Sequence, residues 1–191
     1  MYLKKLLFLH NTLIFIASVL LTCDLSAEET YTIDTSEKLK FTYSVSGIPI
    51  AGEFYIDKTS FTINFHEEAQ SSFYIKIDIR KSTAGFPLAT KAMLGPSVLN
   101  AEKYPFMEFK STHISKKQKG YELRGLLSLK GIKKNVIIIV GSEKKYKKST
   151  NILKFSIKSS INRNEFGADG YSFLVGKNII LNSNINLILK E

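Results

Sequence analysis

The sequence predicts an all-β protein, a sandwich or a barrel of eight or nine antiparallel strands. Three observations predict it. Apolar and polar residues alternate with a period of two through most of residues 30–190, the pattern of strands with one hidden face. Short turn signals separate the runs, so consecutive strands are expected to be antiparallel neighbours. Only two stretches, 82–104 and 162–178, depart from the rhythm, and neither is long enough to be a second domain.

The N-terminal stretch stands apart. Lys4 and Lys5 precede an apolar run over residues 6–21, broken by His10, Asn11, Thr12 and Ser18. That is the layout of a secretory signal peptide. It is shorter and more interrupted than a spanning helix of about 20 apolar residues. Residues 1–27 are therefore expected to be a leader cut after Ala27, with 28–191 as one domain in the periplasm or outside the cell. "LLTC" (20–23) offers a rival cut, a loose lipobox that would leave Cys23 as a lipid anchor. Cys23 is the single cysteine. Cleavage after Ala27 thus leaves no thiol for a disulfide, catalysis or a metal.

The strands follow in order. Leu39, Phe41, Tyr43 and Val45 share one parity against Lys38, Lys40, Thr42 and Ser44. Phe61, Ile63 and Phe65 make a second run, and Phe73, Ile75, Ile77 and Ile79 a third. Tyr121, Leu123, Gly125, Leu127 and Leu129 form a later one. Phe155, Ile157 and Ile161 come next, then Ile179, Leu181, Ile185, Leu187 and Leu189. Residues 136–140, "VIIIV", are apolar at every position and are expected to be covered on both faces. Turn signals lie at 47–52, Asp57-Lys58, 66–72, 116–120, Gly131 and 141–150.

Within the excursion, residues 88–94 suit one or two helical turns stopped by Gly95-Pro96, with a further short turn over 97–103. Pro105 cannot continue a helix and biases Tyr104 towards extended geometry. It converts the end of the excursion into a strand, with Met107 and Phe109 on one face and Glu108 and Lys110 on the other.

Little here suits catalysis. Beyond the leader the histidines are His66 and His113, each isolated, and there is no HExxH or paired-cysteine spacing. There is no GxSxG elbow and no phosphate-binding glycine loop. The net charge of +10 could favour anionic partners, but the lysines fall in short runs that read as solvated turns. Stacking aromatics and lysines have opposite parities, which argues against nucleic acid. What remains is apolar. Either the hidden faces fill a core, or a barrel of about eight strands leaves room for a small ligand.

Six stretches in order resemble the YceI-like family of exported bacterial proteins: "YTID" (31–34), "IAGEF" (50–54), "IRKSTAG" (79–85), "LNAEKYPFMEFKST" (99–112), "YELRGLLSLKGIKKNV" (121–136) and "INRNEFG" (161–167). The resemblance implies an extended, eight-stranded, lipocalin-like antiparallel β-barrel with a short helical excursion. It also implies a pocket between strands and excursion for a long-chain amphiphile: a polyisoprenoid, an isoprenoid quinone or a fatty-acid-like lipid. No other cofactor and no metal is expected. The alternative kept open is a filled-core adaptor that acts through protein contacts.

Candidate wall residues are Phe41, Tyr43, Phe54, Ile75, Ile77, Leu94, Phe109, Leu123, Leu127, Phe155 and Phe166, with plain core packing as the other reading for each. Where the family carries an Arg-Asp pair in the excursion, this chain has "LATKAML" (88–94), so Thr90 and Lys91 are the candidates to meet a head group. Arg163 would meet an anionic head or pair with a carboxylate. Transient contact with a membrane surface and homodimerisation are further expectations.

Overall fold

The computed structural model describes residues 28–33, 37–142, 146–147 and 149–190; the expected leader and Cys23 lie outside the described residues. Nine strands form one sheet: β1 (Glu29–Ile33), β2 (Lys38–Val45), β3 (Ile48–Ile63), β4 (Ser72–Thr83), β5 (Phe106–Lys117), β6 (Gly120–Leu129), β7 (Ile132–Gly141), β8 (Ile152–Asn162) and β9 (Asn178–Leu189). One helix, α1 (Pro87–Leu94), lies between β4 and β5.

All pairings are antiparallel, and β3–β4 pairing closes the sheet on itself. β1 and β2 share one place in the ring. β2 lies between β3 and β9 through Phe41↔Gly52 and Phe41↔Leu181. β1 continues along the same gap, with Tyr31 opposite Phe61 and Leu189. Nine strands thus make a closed eight-place barrel among the described residues, which covers most of the sheet edges.

Local chemistry sets the corners. Ser46-Gly47 and Lys130-Gly131 both have positive φ at the two turn positions, the two-residue hairpin geometry whose twist matches the flanking strands. Pro105 has no N–H to donate, yet its carbonyl accepts from the Ile79 backbone N–H at 2.9 Å. The proline therefore starts β5 without costing the ladder a bond.

Two expectations are corrected here. Asp57-Lys58 is not a turn: β3 runs 16 residues through it. Register shifts at Glu53/Tyr55 and Ile56/Lys58 absorb the irregularity as bulges. Nor is "VIIIV" covered on both faces. Ile137 is 48% and Ile139 44% exposed. β7 pairs with β6 along its whole length but with β8 only over residues 139–141, so its outer face stays largely open among the described residues.

The interior differs along the barrel axis. At the end holding the β3–β4 and β5–β6 connections, aromatic side chains fill the space. Phe61 meets Phe73 edge-on at 5.7 Å between ring centres and Phe155 at 6.3 Å. Phe155 also meets Tyr121 at 6.1 Å. Leu153, Tyr31 and Leu187 are fully buried. At the other end, under α1 and the 167–176 loop, the barrel is hollow.

Candidate functional site

The hollow is a cavity of about 400 Å³, within the size range of small-molecule sites. Its strand wall comes from the inward parity. Phe41 and Tyr43 stand on β2, Phe54 on β3, Ile75 and Ile77 on β4, Phe109 on β5 and Leu127 on β6. Phe73 and Phe109, 6.2 Å apart, make its floor against the aromatic plug. The lid is α1, which turns Leu88, Ala89, Ala92 and Met93 to the cavity. Spacings of three and four place these residues on one helical face.

Tight strand contacts keep the wall rings flat. A Cβ at Gly52 would fall 2.8 Å from Cε1 of Phe41 and nearer still to its Cζ. One at Gly125 would fall 2.6 Å from Cζ of Phe109. The missing side chains let both rings lie along the wall, and Phe41 then stacks on Phe54 at 4.1 Å.

Three polar side chains reach the wall: Tyr43 and Arg163, which are buried, and Tyr171, which is partly open to solvent. The Tyr43 hydroxyl donates to the Ala84 carbonyl at 2.9 Å, and burial raises its pKa. Arg163 is 4% exposed. Its guanidinium donates to the carbonyls of Gly176 (3.0 Å), Ala168, Gly170 (2.9 Å) and Val175 (3.0 Å), and to Ser172 Oγ at 3.4 Å. Those five bonds match the five N–H donors an arginine carries. Burial pushes the guanidinium pKa down, while the charge on Asp169 pulls it back up; arginine stays protonated regardless.

Arg163 therefore does not form the carboxylate pair expected from sequence: among the described residues no carboxylate bonds it, and its donors are engaged with backbone carbonyls and Ser172, so it pins the 167–176 loop. Thr90 and Lys91 are likewise displaced. They share the outer side of α1 with Leu94, in a shallow surface groove. Thr90 Oγ1 accepts from the Ala84 N–H at 3.0 Å and donates to the Phe86 carbonyl at 2.9 Å, a local tie at the start of the helix. Leu123 is core near the plugged end, opposite Ile114, and Phe155 is the hub of the plug. Phe166 is buried within the 3₁₀ turn Arg163–Phe166 and does not line the cavity.

Sequence reasoning missed the cavity face of α1, and Val175 and Leu174 in the loop beyond Arg163. The pairs Leu88/Ala92 and Ala89/Met93, each four apart, carried the first signal. Nothing in the periodicity carried the second. His66 and His113 lie exposed on the outside. Among the described residues no group of three His, Cys, Asp or Glu could hold a metal ion, and no buried side-chain polar atom lacks a partner.

A closed antiparallel barrel, plugged at one end and hollow and apolar at the other, defines a barrel of the lipocalin-like kind. The YceI-like domain family matches residues 31–187, and the chain belongs to that family. Solved structures share the fold at low identity. BcnA of Burkholderia cenocepacia superposes with a TM-score of 0.71 at 19% identity, over 83% of this chain and 99% of that one. The YCEI protein of Campylobacter jejuni gives 0.59 at 19%, over 71% and 84%. A polyisoprenoid binding domain from Saccharophagus degradans, implicated in plant cell wall breakdown, gives 0.58 at 11%, over 84% and 98%. No curated protein sequence matches the chain.

Proposed function

We propose that this is an exported binding protein that carries or sequesters a long-chain amphiphile, holding its hydrocarbon tail in the barrel cavity. One observation carries the reading: the wall is apolar, and its two buried polar side chains, Tyr43 and Arg163, already have their donors engaged within the protein, while the Tyr171 hydroxyl lies at the exposed rim. Such a cavity rewards hydrocarbon and offers no buried partner to a polar head, which would stay at the mouth. Each buried CH₂ contributes about 0.8 kcal/mol, so a twenty-carbon tail gains on the order of 16 kcal/mol. Ordering the tail and losing free motion offset much of this.

Membership of the family and the likeness in fold to the Saccharophagus polyisoprenoid binding domain support a polyisoprenoid or related lipid. The n-region and apolar run of residues 4–21 support export. The hollow end speaks against the filled-core alternative. The test is organic extraction of the exported protein followed by mass spectrometry. A stoichiometric long-chain species is expected; a clean extract, together with no uptake of an added long-chain isoprenoid, would overturn the reading.

A further inference from the structure

The cavity does not open into a polar surface. Its mouth is ringed by apolar side chains that point to solvent: Phe86 and Leu88 at the start of α1, Tyr171, Phe173 and Leu174 in the loop before β9, and Ile48 beyond the β2–β3 turn. Phe173 is 90%, Leu88 74% and Ile48 64% exposed. Phe86, Leu88, Tyr171 and Leu174 line the cavity as well, so the patch and the entrance are one surface.

The patch is held in shape. Leu174 and Val175 donate backbone N–H bonds to the Tyr171 carbonyl at 2.9 and 2.8 Å, making one tight turn with Phe173 near its tip. The Leu174 carbonyl accepts from the Ser46 N–H at 2.8 Å, and the Gly170 N–H donates to the Ser97 carbonyl at 3.0 Å. The loop is thereby tied to the β2–β3 hairpin on one side and to the segment after α1 on the other. Arg163 fixes it from beneath.

Charge distinguishes the possible occupants. The rim segments 44–52, 82–101 and 170–180 contain no Asp or Glu, in a chain that has 17. Their charged residues are Lys91 and Lys177, both exposed. Three acids border these segments: Glu53, which pairs with Lys38 at 3.1 Å, Glu102, which follows the second segment, and Asp169, which acts on the buried Arg163. Two copies meeting rim to rim would bring lysines together with no acid of these segments to answer them. An anionic bilayer answers both features, with lipid for the rings and phosphate for the lysines.

We propose that the rim is a membrane-docking surface, which seats the cavity mouth on a phospholipid bilayer containing anionic lipid. Docking rests on the rim alone. That it serves ligand exchange rests on the function proposed above: a tail could then pass between bilayer and barrel without crossing water.

The chain has no tryptophan, which gives a direct test. Phe173→Trp places one fluorophore near the loop tip. Ile152→Trp places one at an exposed site at the plugged end. Both variants are purified from the exported fraction as the processed chain, because Glu29 lies against Ser149 at the plugged end and an uncleaved apolar run would bring Ile152 to vesicles. They are mixed with vesicles of phosphatidylcholine and phosphatidylglycerol (3:1), with and without brominated phosphatidylcholine. The Phe173→Trp emission is expected to shift to the blue and be quenched by the brominated lipid, while Ile152→Trp is not. Adding Leu88→Ser to the Phe173→Trp chain is expected to lower partitioning roughly tenfold or more. Equal quenching at both sites, or none at either, would overturn the proposal. So would a blue shift that grows with protein concentration in the absence of vesicles, which would mark a second copy on the rim. Lipid extraction reads separately: an empty extract with Phe173→Trp quenched removes the tail-binding function and leaves the docking.

Discussion

The ring of Phe41 lies across Gly52, its register partner on the neighbouring strand, in the space a side chain would fill. This one contact decides whether Phe41 is wall or filler. Gly52→Ala forces the ring inward and also meets the Thr83 carbonyl at 2.7 Å. We expect destabilisation by about 1–3 kcal/mol, read as a lower urea midpoint, with reduced uptake of a long-chain probe. Adding Phe41→Leu removes the ring clash but not the carbonyl clash, so it should restore only part of the stability.

Arg163 should behave as a loop anchor. Four backbone carbonyls lose a donor in Arg163→Met. Hydrogen bonds to charged groups contribute about 1.5–3 kcal/mol each at most, so a loss of several kcal/mol is expected. Arg163→Lys should rescue little, because a point charge with three donors cannot reproduce the fork. Hydrogen exchange provides the discriminating readout. The amides of Gly170, Leu174 and Gly176 should lose protection before those of β6.

The contrast between these two residues shows what the sequence could disclose. Period-two alternation tells inside from outside, so Phe41, Tyr43, Ile75, Ile77, Phe109 and Leu127 were legible as inward-facing. It does not tell height along the barrel axis. Leu123 and Leu127 share a strand and a parity, yet Leu123 sits at the plugged end and Leu127 at the cavity. Height depends on strand stagger, which is fixed by ring closure between β3 and β4, and on the bulges in β3, all non-local. Arg163 was misread for a related reason. Its partners are the carbonyls of a loop that has no period, so charge logic pointed to a carboxylate or an anion instead.

Cavity and plug should respond differently to substitution. Ala92→Phe adds volume from the lid into empty space. It should leave the unfolding temperature unchanged or raised while abolishing uptake of a long-chain probe. Leu153→Ala removes volume from the fully buried plug, where the expected cost is about 2–5 kcal/mol. The folded fraction of that variant should still take up the probe with unchanged stoichiometry. Stability and uptake are thus expected to separate along the barrel axis.

Acid should weaken the fold partly through Asp78. Its carboxylate accepts from Arg80 Nε at 3.0 Å, from Nη2 at 2.9 Å and from the Arg80 backbone N–H at 3.1 Å. The Arg80 hydrogen bond holds its pKa below the ordinary aspartate value of 3.8, against a smaller opposing effect of burial. A carboxyl whose folded pKa is depressed binds its proton more readily in the unfolded chain. Its stabilisation is therefore complete above the unfolded value and is lost as pH falls below about 4, through the folded value. Asp78→Asn should lower stability at neutral pH and flatten this part of the acid limb. Urea midpoints measured from pH 7 down to pH 2.5 check both effects, and parallel curves for parent and variant would show that Asp78 is not responsible.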